Sequence, residues 1–224
     1  MKNILLAIFI AISINSFGQT WTDYQVDSLL TVNIPDNYKT RGTLEQRMIS
    51  AQIDNGMIII SILPNAGENT INVQSEDELI KSYKEIEKEA INVQHAQLIK
   101  DEIFENSGLK MIRFSCKASM HGERQIRHCL LAFVNEKMYS VIFAEVESMT
   151  NEMSATREKL FSSMRFAPNL GLKNQMSNKA EVEKEEAQGQ LIGYITVCVL
   201  LPAILFWSSK RKKKKRIMAP AVKK

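Results

Sequence analysis

The sequence predicts an α+β domain, in which an antiparallel sheet has two helices packed on it, joined to one C-terminal transmembrane helix. Short β-type runs separated by tight turns fill much of residues 19–168, and connections this short make neighbouring strands antiparallel. Two segments with a helical spacing of apolar residues interrupt these runs. Residues 188–209 carry no charge, which is typical of a membrane span.

The chain therefore divides into five segments. Residues 1–18 are expected to be a signal peptide, residues 19–168 an extracytoplasmic α+β domain, and residues 169–189 a charged linker. Residues 190–208 are expected to form the transmembrane helix, and residues 209–224 a basic cytoplasmic tail. A domain of this length can bury a core of its own.

The N-terminal segment has the pattern of a secretory signal peptide. Lys2 precedes an apolar run over residues 4–12, and the small residues Ser16 and Gly18 follow at alternate positions. We expect cleavage after Gly18. Retention of this segment as a second span is the alternative, but the run is short for a membrane helix.

The C-terminal segment predicts a membrane anchor and the topology of the chain. A helix over residues 188–209 reaches about 33 Å, which crosses a hydrocarbon core of about 30 Å. A basic block marks its cytoplasmic end and should contact the anionic inner leaflet. The block consists of Lys210, Arg211, Lys212, Lys213, Lys214, Lys215 and Arg216. We expect a single-pass protein of the cell membrane, with the domain in the periplasm or outside the cell and the C-terminus in the cytoplasm.

The formal charge of +4 hides an acidic domain. Ten of the 29 Lys and Arg residues are Lys2, the seven of the basic block, Lys223 and Lys224, whereas all 25 Asp and Glu residues lie elsewhere. The exported part is therefore mildly acidic. This excludes a basic patch suited to nucleic acid there.

The first half of the domain is expected to contain four strands and a helix. Residues 21–26 and 29–34 predict two strands, and residues 47–53 and 57–63 predict a hairpin around Asn55-Gly56, where a type I′ turn needs positive φ. Ser75 and Glu78 then form a capping-box pattern. Apolar residues at helical spacing predict an amphipathic helix to about residue 93, and they are Leu79, Tyr83, Ile86 and Ala90.

The second half predicts a β-meander over residues 98–105, 109–119, 124–134 and 138–146. If Gly122-Glu123 are the central turn residues, Cys116 opposes Cys129, which places the two within the range of a disulfide. The alternative is that both are small buried thiols. A three-residue loop after the third strand would pair Phe133 with Tyr139. Residues 148–164 predict the second helix, and residues 165–167 a last short strand.

This order of elements resembles the PsbP-like fold, a family of extrinsic photosystem proteins and bacterial exported domains. The resemblance lies in the strand edge Leu30-Thr31-Val32-Asn33-Ile34-Pro35 and in the closing stretch Leu160-Phe161-Ser162-Ser163-Met164-Arg165-Phe166. It covers residues 20–168 and implies a binding or assembly role more than catalysis. It carries over no site residue.

No pattern in the sequence predicts catalysis, a metal site or a cofactor. His128 and Cys129 are adjacent in a strand and point to opposite faces, and no Cys-x2-Cys or His-x3-His spacing joins them to His95, His121 or Cys116. Neither Gly-x-Ser-x-Gly nor a glycine-rich phosphate loop is present. The carboxylate pair Glu85 and Glu89 lies on the solvent face of the first helix.

The sequence thus favours a membrane-anchored binding or assembly module without catalytic activity, whose partner is another envelope protein. Two alternatives stay open at this point. One is a small-ligand or lipid-binding domain that uses a cavity between sheet and helices. The other is an envelope enzyme whose catalytic residues form no recognisable motif.

Overall fold

The computed structural model describes residues 19–43, 46–65, 71–120 and 122–177. The predicted signal peptide, transmembrane helix and basic tail, and the linker beyond residue 177, lie outside the described residues. Among the described residues, no helix has the length and apolar character that crossing a membrane requires.

The described residues form ten strands and two α-helices in two antiparallel sheets. The strands are β1 (Trp21–Gln25), β2 (Leu30–Pro35), β3 (Lys39–Gly42), β4 (Arg47–Ile53), β5 (Gly56–Pro64), β6 (Gln97–Asn106), β7 (Leu109–Met120), β8 (Glu123–Val134), β9 (Lys137–Val146) and β10 (Arg165–Phe166). The helices are α1 (Glu76–Val93) and α2 (Ser154–Ser162). The large sheet has the order β3-β4-β5-β9-β8-β7-β6, and the small sheet has the order β1-β2-β10.

The large sheet is the middle layer of the domain. Strand β5, which is the third of its seven strands, is buried on both faces, as its run of isoleucines predicts. On one face, Ile59 and Met57 pack with α1 through Leu79 and Tyr83. On the other face, alternate strand residues pack with β2 and α2; this second cluster includes Ile58, Ile60, Val32, Ile34, Leu160 and Phe161.

The predicted class, α+β with antiparallel strands and two helices, is confirmed, but the prediction of one sheet is wrong. Strand β2 pairs with β1 and β10 and lies over the large sheet. The reason is the alternation in β2, whose residues Leu30, Val32 and Ile34 are all buried. These residues complete the core on the face that α1 does not cover. Strand β3 was not predicted, because its four residues are exposed and carry no apolar alternation.

The β4–β5 hairpin forms as predicted, but its turn lies one residue earlier. Ile53 pairs with Gly56, so Asp54 and Asn55 are the central residues. Gly56 does not have positive φ. It is required for space, since a Cβ there would lie 2.4 Å from the carbonyl oxygen of Ala144 on β9.

Both registers predicted for the meander are wrong. In β7–β8, Cys116 pairs with Arg127 and Phe114 with Cys129, a shift of two residues. In β8–β9, Phe133 pairs with Met138 because the turn has two residues, Asn135 and Glu136, both with positive φ. A two-residue turn of this kind matches the right-handed twist of the strands, which a three-residue loop without glycine does not.

Helix α1 follows the prediction closely. Ser75 caps it by accepting a hydrogen bond from the Glu78 amide at 3.2 Å, and Glu78 accepts one in return from the Gln74 amide at 2.6 Å. Helix α2 is shorter than predicted. A 3₁₀ turn over Glu147–Met149 and an irregular stretch take up its expected first turns.

Residues 169–177, the first part of the predicted linker, pack against the domain. The segment contains a 3₁₀ turn, Leu172–Gln175, and crosses the end of the large sheet from the side of β10 to the side of α1. The Ser177 hydroxyl accepts from the Val73 amide and donates to the Ile71 carbonyl, at 3.0 and 2.9 Å. We call residues 169–177 the crossing segment.

Candidate functional site

A groove opens on the α2 side of the large sheet. It has a volume of about 220 Å³ and is half open to solvent. Six of its lining residues are apolar, and they are Phe104, Met111, Leu130, Phe161, Met164 and Phe166. The polar lining residues are Asn106, Arg113, Glu158 and Ser162. The groove thus combines an apolar floor with a polar rim, which is the usual composition of a binding site.

The groove exists because the covering layer is shorter than the sheet beneath it. Helix α2 ends at Ser162, and β10 has only two residues. Together they cover Leu130 on β8 and Met111 on β7, which are 4% and 1% exposed. Beyond them, Phe104 on the outermost strand β6 is only partly buried. The open side of the groove therefore faces β6.

Arg113 links the groove to the edge of the sheet. Its Nε donates to Oε1 of Glu102 at 2.7 Å, and its guanidinium lies 5.5 Å from the centre of the Phe104 ring. The ring and the carboxylate hold the guanidinium in place along the groove wall. Glu158 on α2 is exposed at the opposite rim, so the site presents both signs of charge around its apolar floor.

Strand β6 is a long and exposed edge. It has ten residues, and eight of them are exposed. Leu98 and Ile99 are 39% and 52% exposed, and a β-bulge between Leu98 and Lys100 sets them apart from the regular part of the ladder. The opposite edge, β3, has only four residues. An edge strand of this length is a template for further pairing unless it is blocked.

A buried polar network resembles a catalytic triad but cannot act as one. Ser115 Oγ lies 2.8 Å from His128 Nδ1, and His128 Nε2 lies 3.1 Å from Glu145 Oε1. Arg157 of α2 donates to the same carboxylate oxygen at 2.7 Å. Ser115 and Glu145 are each 1% exposed, so the hydroxyl is closed off from any substrate. The network joins β7, β8 and β9 to α2, and no sequence pattern predicts it because its members are far apart in the chain.

The cysteines lie on the α1 face in a buried, polar setting. Arg127 opposes Cys116, and its guanidinium bonds the side-chain oxygen of Gln94 and lies 3.5 Å from that of Gln125. Burial raises the pKa of the Cys116 thiol, and Arg127 acts against this shift. Burial also lowers the pKa of Arg127.

The structure does not join Cys116 to Cys129. In the observed register they are diagonal neighbours, and such pairs have Cα atoms about 7–8 Å apart, beyond the usual reach of a disulfide. The direct opposition on which the predicted bridge rested is therefore lost, which favours the alternative of two small buried thiols, and a count of thiols decides between the two. In the described part of the chain, no group of three or more His, Cys, Asp or Glu side chains could hold a metal ion.

The sequence predicts the strands and the helix that line the groove, but it does not predict the groove itself. Phe161 and Met164 lie within the predicted second helix, and both are buried. The pair Leu98-Ile99, in a strand otherwise rich in charge, could have marked β6 as an edge strand with an exposed apolar end. The residues of the basic block lie outside the described residues.

No family model and no curated protein match the chain. Several solved structures are similar to it. A cyanobacterial PsbP (CyanoP) from Synechocystis sp. PCC 6803 has 9% identity and a TM-score of 0.48, with 68% of this chain and 96% of that chain covered. LpqN of Mycobacterium tuberculosis, involved in cell envelope biogenesis, has 12% identity and a TM-score of 0.45, with coverage of 71% and 97%.

The Ran-binding protein Mog1p of Saccharomyces cerevisiae is also similar, with 5% identity, a TM-score of 0.43 and coverage of 67% and 97%. The similar structures thus include a PsbP protein, in line with the predicted resemblance to the PsbP-like fold. At these identities it extends to the fold alone, so the function of the chain has to come from its own geometry.

Proposed function

We propose that the domain is a non-catalytic binding module, and that the groove takes an apolar side chain of a partner protein. The observation that carries this proposal is the apolar floor, with Met111, Leu130 and Phe161 under a rim that holds Arg113 and Glu158. Burying one large apolar side chain contributes about 1.5–3 kcal/mol. The rim charges would select the partner and its orientation.

The size of the groove favours a side chain over a larger ligand. Sites for drug-sized molecules usually have about 300–1,000 Å³, and the groove has about 220 Å³. This volume suits one Leu, Met or Phe side chain and is too small for a lipid chain of membrane length. The groups on the rim also suit binding, since the hydrogen bond from Arg113 to Glu102 holds the guanidinium in a fixed position beside the groove.

We further propose that the module acts outside the cell membrane and binds another envelope protein. The support is the sequence alone: an N-terminal apolar run, an uncharged stretch over residues 188–209, and a basic block behind it. In this topology the crossing segment leads from the domain toward the anchor, and the basic tail lies at the inner leaflet.

A photo-crosslinking experiment tests the groove. A benzophenone amino acid replaces Ser162, which lies on the rim, and in a control chain it replaces Ala155, which is exposed on the same helix but outside the groove. Irradiation of cells that make the full chain should give a discrete protein adduct from position 162 and not from position 155. The same adducts from both positions, or none from 162, would refute the proposal.

A labelling experiment tests the topology. Single epitope tags are placed in the turn at residue 54 and after Lys224. Cells whose outer layer is permeabilised but whose cell membrane is intact are then treated with protease. We expect loss of the tag at residue 54 and protection of the tag at the C-terminus. Protection of both tags would place the domain inside the cell and would contradict the proposed location.

A further inference from the structure

The outer edge of β6 is available for strand pairing. Strand β6 ends the seven-stranded sheet, and among the described residues its outer side meets no further strand. Beyond the bulge, residues 100–106 pair regularly with β7. Their outward-facing amide and carbonyl groups form a straight row of donors and acceptors. A row of about seven residues is as long as an ordinary strand.

We propose that β6 is a docking strand, to which an extended, basic segment of the partner protein adds as an eighth strand of the large sheet. The inference rests on the proposed function, because the same segment places an apolar side chain in the groove. Backbone hydrogen bonds along β6 would supply affinity for any extended chain, and the groove and the charges of β6 would supply specificity.

The alternation of β6 connects its edge to the groove. Phe104 pairs with Met111 and lines the groove, whereas Ile103 pairs with Ile112 and faces the α1 side. Side chains directly opposite one another on neighbouring strands lie about 4.5–5.5 Å apart. A residue of the added strand opposite Phe104 would therefore stand at the open side of the groove, and its side chain would point into it.

The charges of β6 select a basic segment. Strand β6 contains three acidic residues, Asp101, Glu102 and Glu105, and only one basic residue, Lys100. Each carboxylate pairs with a cation on the inner side of the strand: Asp101 with Lys84, Glu102 with Arg113, and Glu105 with Lys110. Their side chains nevertheless stay 30%, 50% and 57% exposed, so the outer side of each remains open to a second cation.

The same charges disfavour a second copy of the chain as the occupant. Antiparallel pairing of β6 with itself would bring the three carboxylates of each strand together with only one lysine from each, and the register centred on residue 103 sets Asp101 opposite Glu105 twice. Like charges directly opposite one another destabilise a strand pair. A basic segment meets three favourable contacts at the same positions. The bulge at Ile99 interrupts the regular ladder, and Leu98 and Ile99 are exposed beside it for a further apolar contact.

The test uses the full chain in detergent micelles and fluorescein-labelled peptides measured by fluorescence anisotropy. One probe is Thr-Lys-Leu-Val-Lys-Lys-Thr, which sets Leu opposite Phe104 and Lys opposite Glu105, Glu102 and Asp101 in an antiparallel strand. Its reversed sequence serves for a parallel strand. We expect one of the two to bind, and its Lys-to-Glu counterpart to bind at least about tenfold more weakly. Failure of both basic probes overturns the proposal.

Two matched comparisons distinguish strand addition from side-chain binding. Two versions of the bound peptide are N-methylated at every second amide, and the methylated positions of the two versions are offset by one residue. Only one version therefore loses the N–H groups that face β6. Strand addition predicts that the affinity falls about 100-fold for one methylated version and less than about threefold for the other. For the protein, Glu105→Lys should weaken binding about tenfold, whereas Glu85→Lys on the exposed face of α1 should leave it unchanged.

The outcomes also separate this inference from the proposed function. If both methylated versions bind equally while Ser162→Trp abolishes binding and Ala155→Trp does not, the groove is a binding site and strand addition is wrong. If Ser162→Trp and Ala155→Trp both leave binding unchanged, both proposals fail. If sedimentation shows a dimer of the full chain that Glu105→Lys disrupts, and the peptides do not bind, the occupant is a second copy and the basic partner is wrong.

Discussion

At the scale of single residues, Gln175 and Tyr83 replace backbone hydrogen bonds that the sheet lacks. If the β7–β8 register continued, Lys110 would oppose Phe133, but the regular pairing ends at Ile112. Gln175 accepts from the Lys110 amide and donates to the Lys110 and Phe133 carbonyls, at 2.8, 2.8 and 2.9 Å. The Tyr83 hydroxyl accepts from the Phe133 amide at 2.8 Å, and burial raises the pKa of Tyr83.

This arrangement gives a prediction for Gln175. The change Gln175→Ala removes the partner of the Lys110 amide and of the Phe133 carbonyl, whereas the Lys110 carbonyl keeps the Tyr83 hydroxyl. It should lower the free energy of unfolding by about 2–4 kcal/mol. Urea denaturation followed by circular dichroism measures the change. The neighbouring substitution Lys173→Ala, at an exposed position, is the control and should stay within about 0.5 kcal/mol of the original chain. Equal stability of the two variants would contradict this role of Gln175.

The cysteines give a second prediction at this scale. Cys116 and Cys129 are 0% and 6% exposed, and the raised pKa of Cys116 reduces its thiolate fraction at neutral pH. We therefore expect slow alkylation of both in the native protein, with rapid alkylation after unfolding. The unfolded, unreduced chain should show all three of its cysteines as thiols. A count of one would instead establish the disulfide between Cys116 and Cys129.

At the scale of elements, the turns decide the registers that the strands cannot decide alone. In the β6–β7 turn, Ser107 and Gly108 have φ of 55° and 79°, which is the conformation of a type I′ turn. Asn-Gly is the preferred pair for this turn. Gly108 has a second role, since a Cβ there would lie 3.0 Å from the Leu170 carbonyl oxygen of the crossing segment.

Two substitutions in this turn should have opposite effects. Ser107→Asn should raise the free energy of unfolding by about 0.5–1 kcal/mol, because Asn tolerates positive φ better than Ser. Gly108→Ala should lower it by about 1–2 kcal/mol, through strain at positive φ and the contact with Leu170. Thermal unfolding of the two variants beside the original chain measures both. A change of the same sign in both variants would show that the turn does not govern stability in this way.

At the scale of the whole molecule, the crossing segment ties the two faces of the large sheet together. Leu170 belongs to the cluster with β2 and α2, whereas Leu172 and Met176 belong to the cluster under α1. Ser177 then bonds the strand-like stretch before α1 through Val73 and Ile71. The domain therefore extends to at least residue 177, and the tether toward the predicted anchor is shorter than the linker of residues 169–189.

Truncation tests this boundary. A fragment of residues 19–177 should unfold in one cooperative transition, and a fragment of residues 19–168 should lose at least about 3–4 kcal/mol, because Gln175 and Ser177 leave buried polar groups unsatisfied when they are removed. Differential scanning calorimetry of the two fragments measures the difference. Equal melting temperatures would return the boundary to residue 168.

Much of the fold could be predicted because local patterns carried it. The capping residues of α1 and its apolar spacing placed that helix correctly, and the isoleucines of β5 identified a strand buried on both faces. The groove could not be predicted in the same way. Its walls come from Phe104, Leu130 and Phe161, three core-like residues on three elements, and only the length of α2 relative to β6 leaves a space between them.

The sequence by itself determined the α+β class, the strand and helix order, the acidic character of the domain, and the expectation of an exported, anchored chain. These follow from periodicity, capping and charge, which are local properties of the chain. Only the tertiary structure decided the registers, the second sheet, the crossing segment and the open edge beside the groove. Each depends on which surfaces meet, and a residue such as Gln175 shows its role only when Lys110 and Phe133 lie on either side of it.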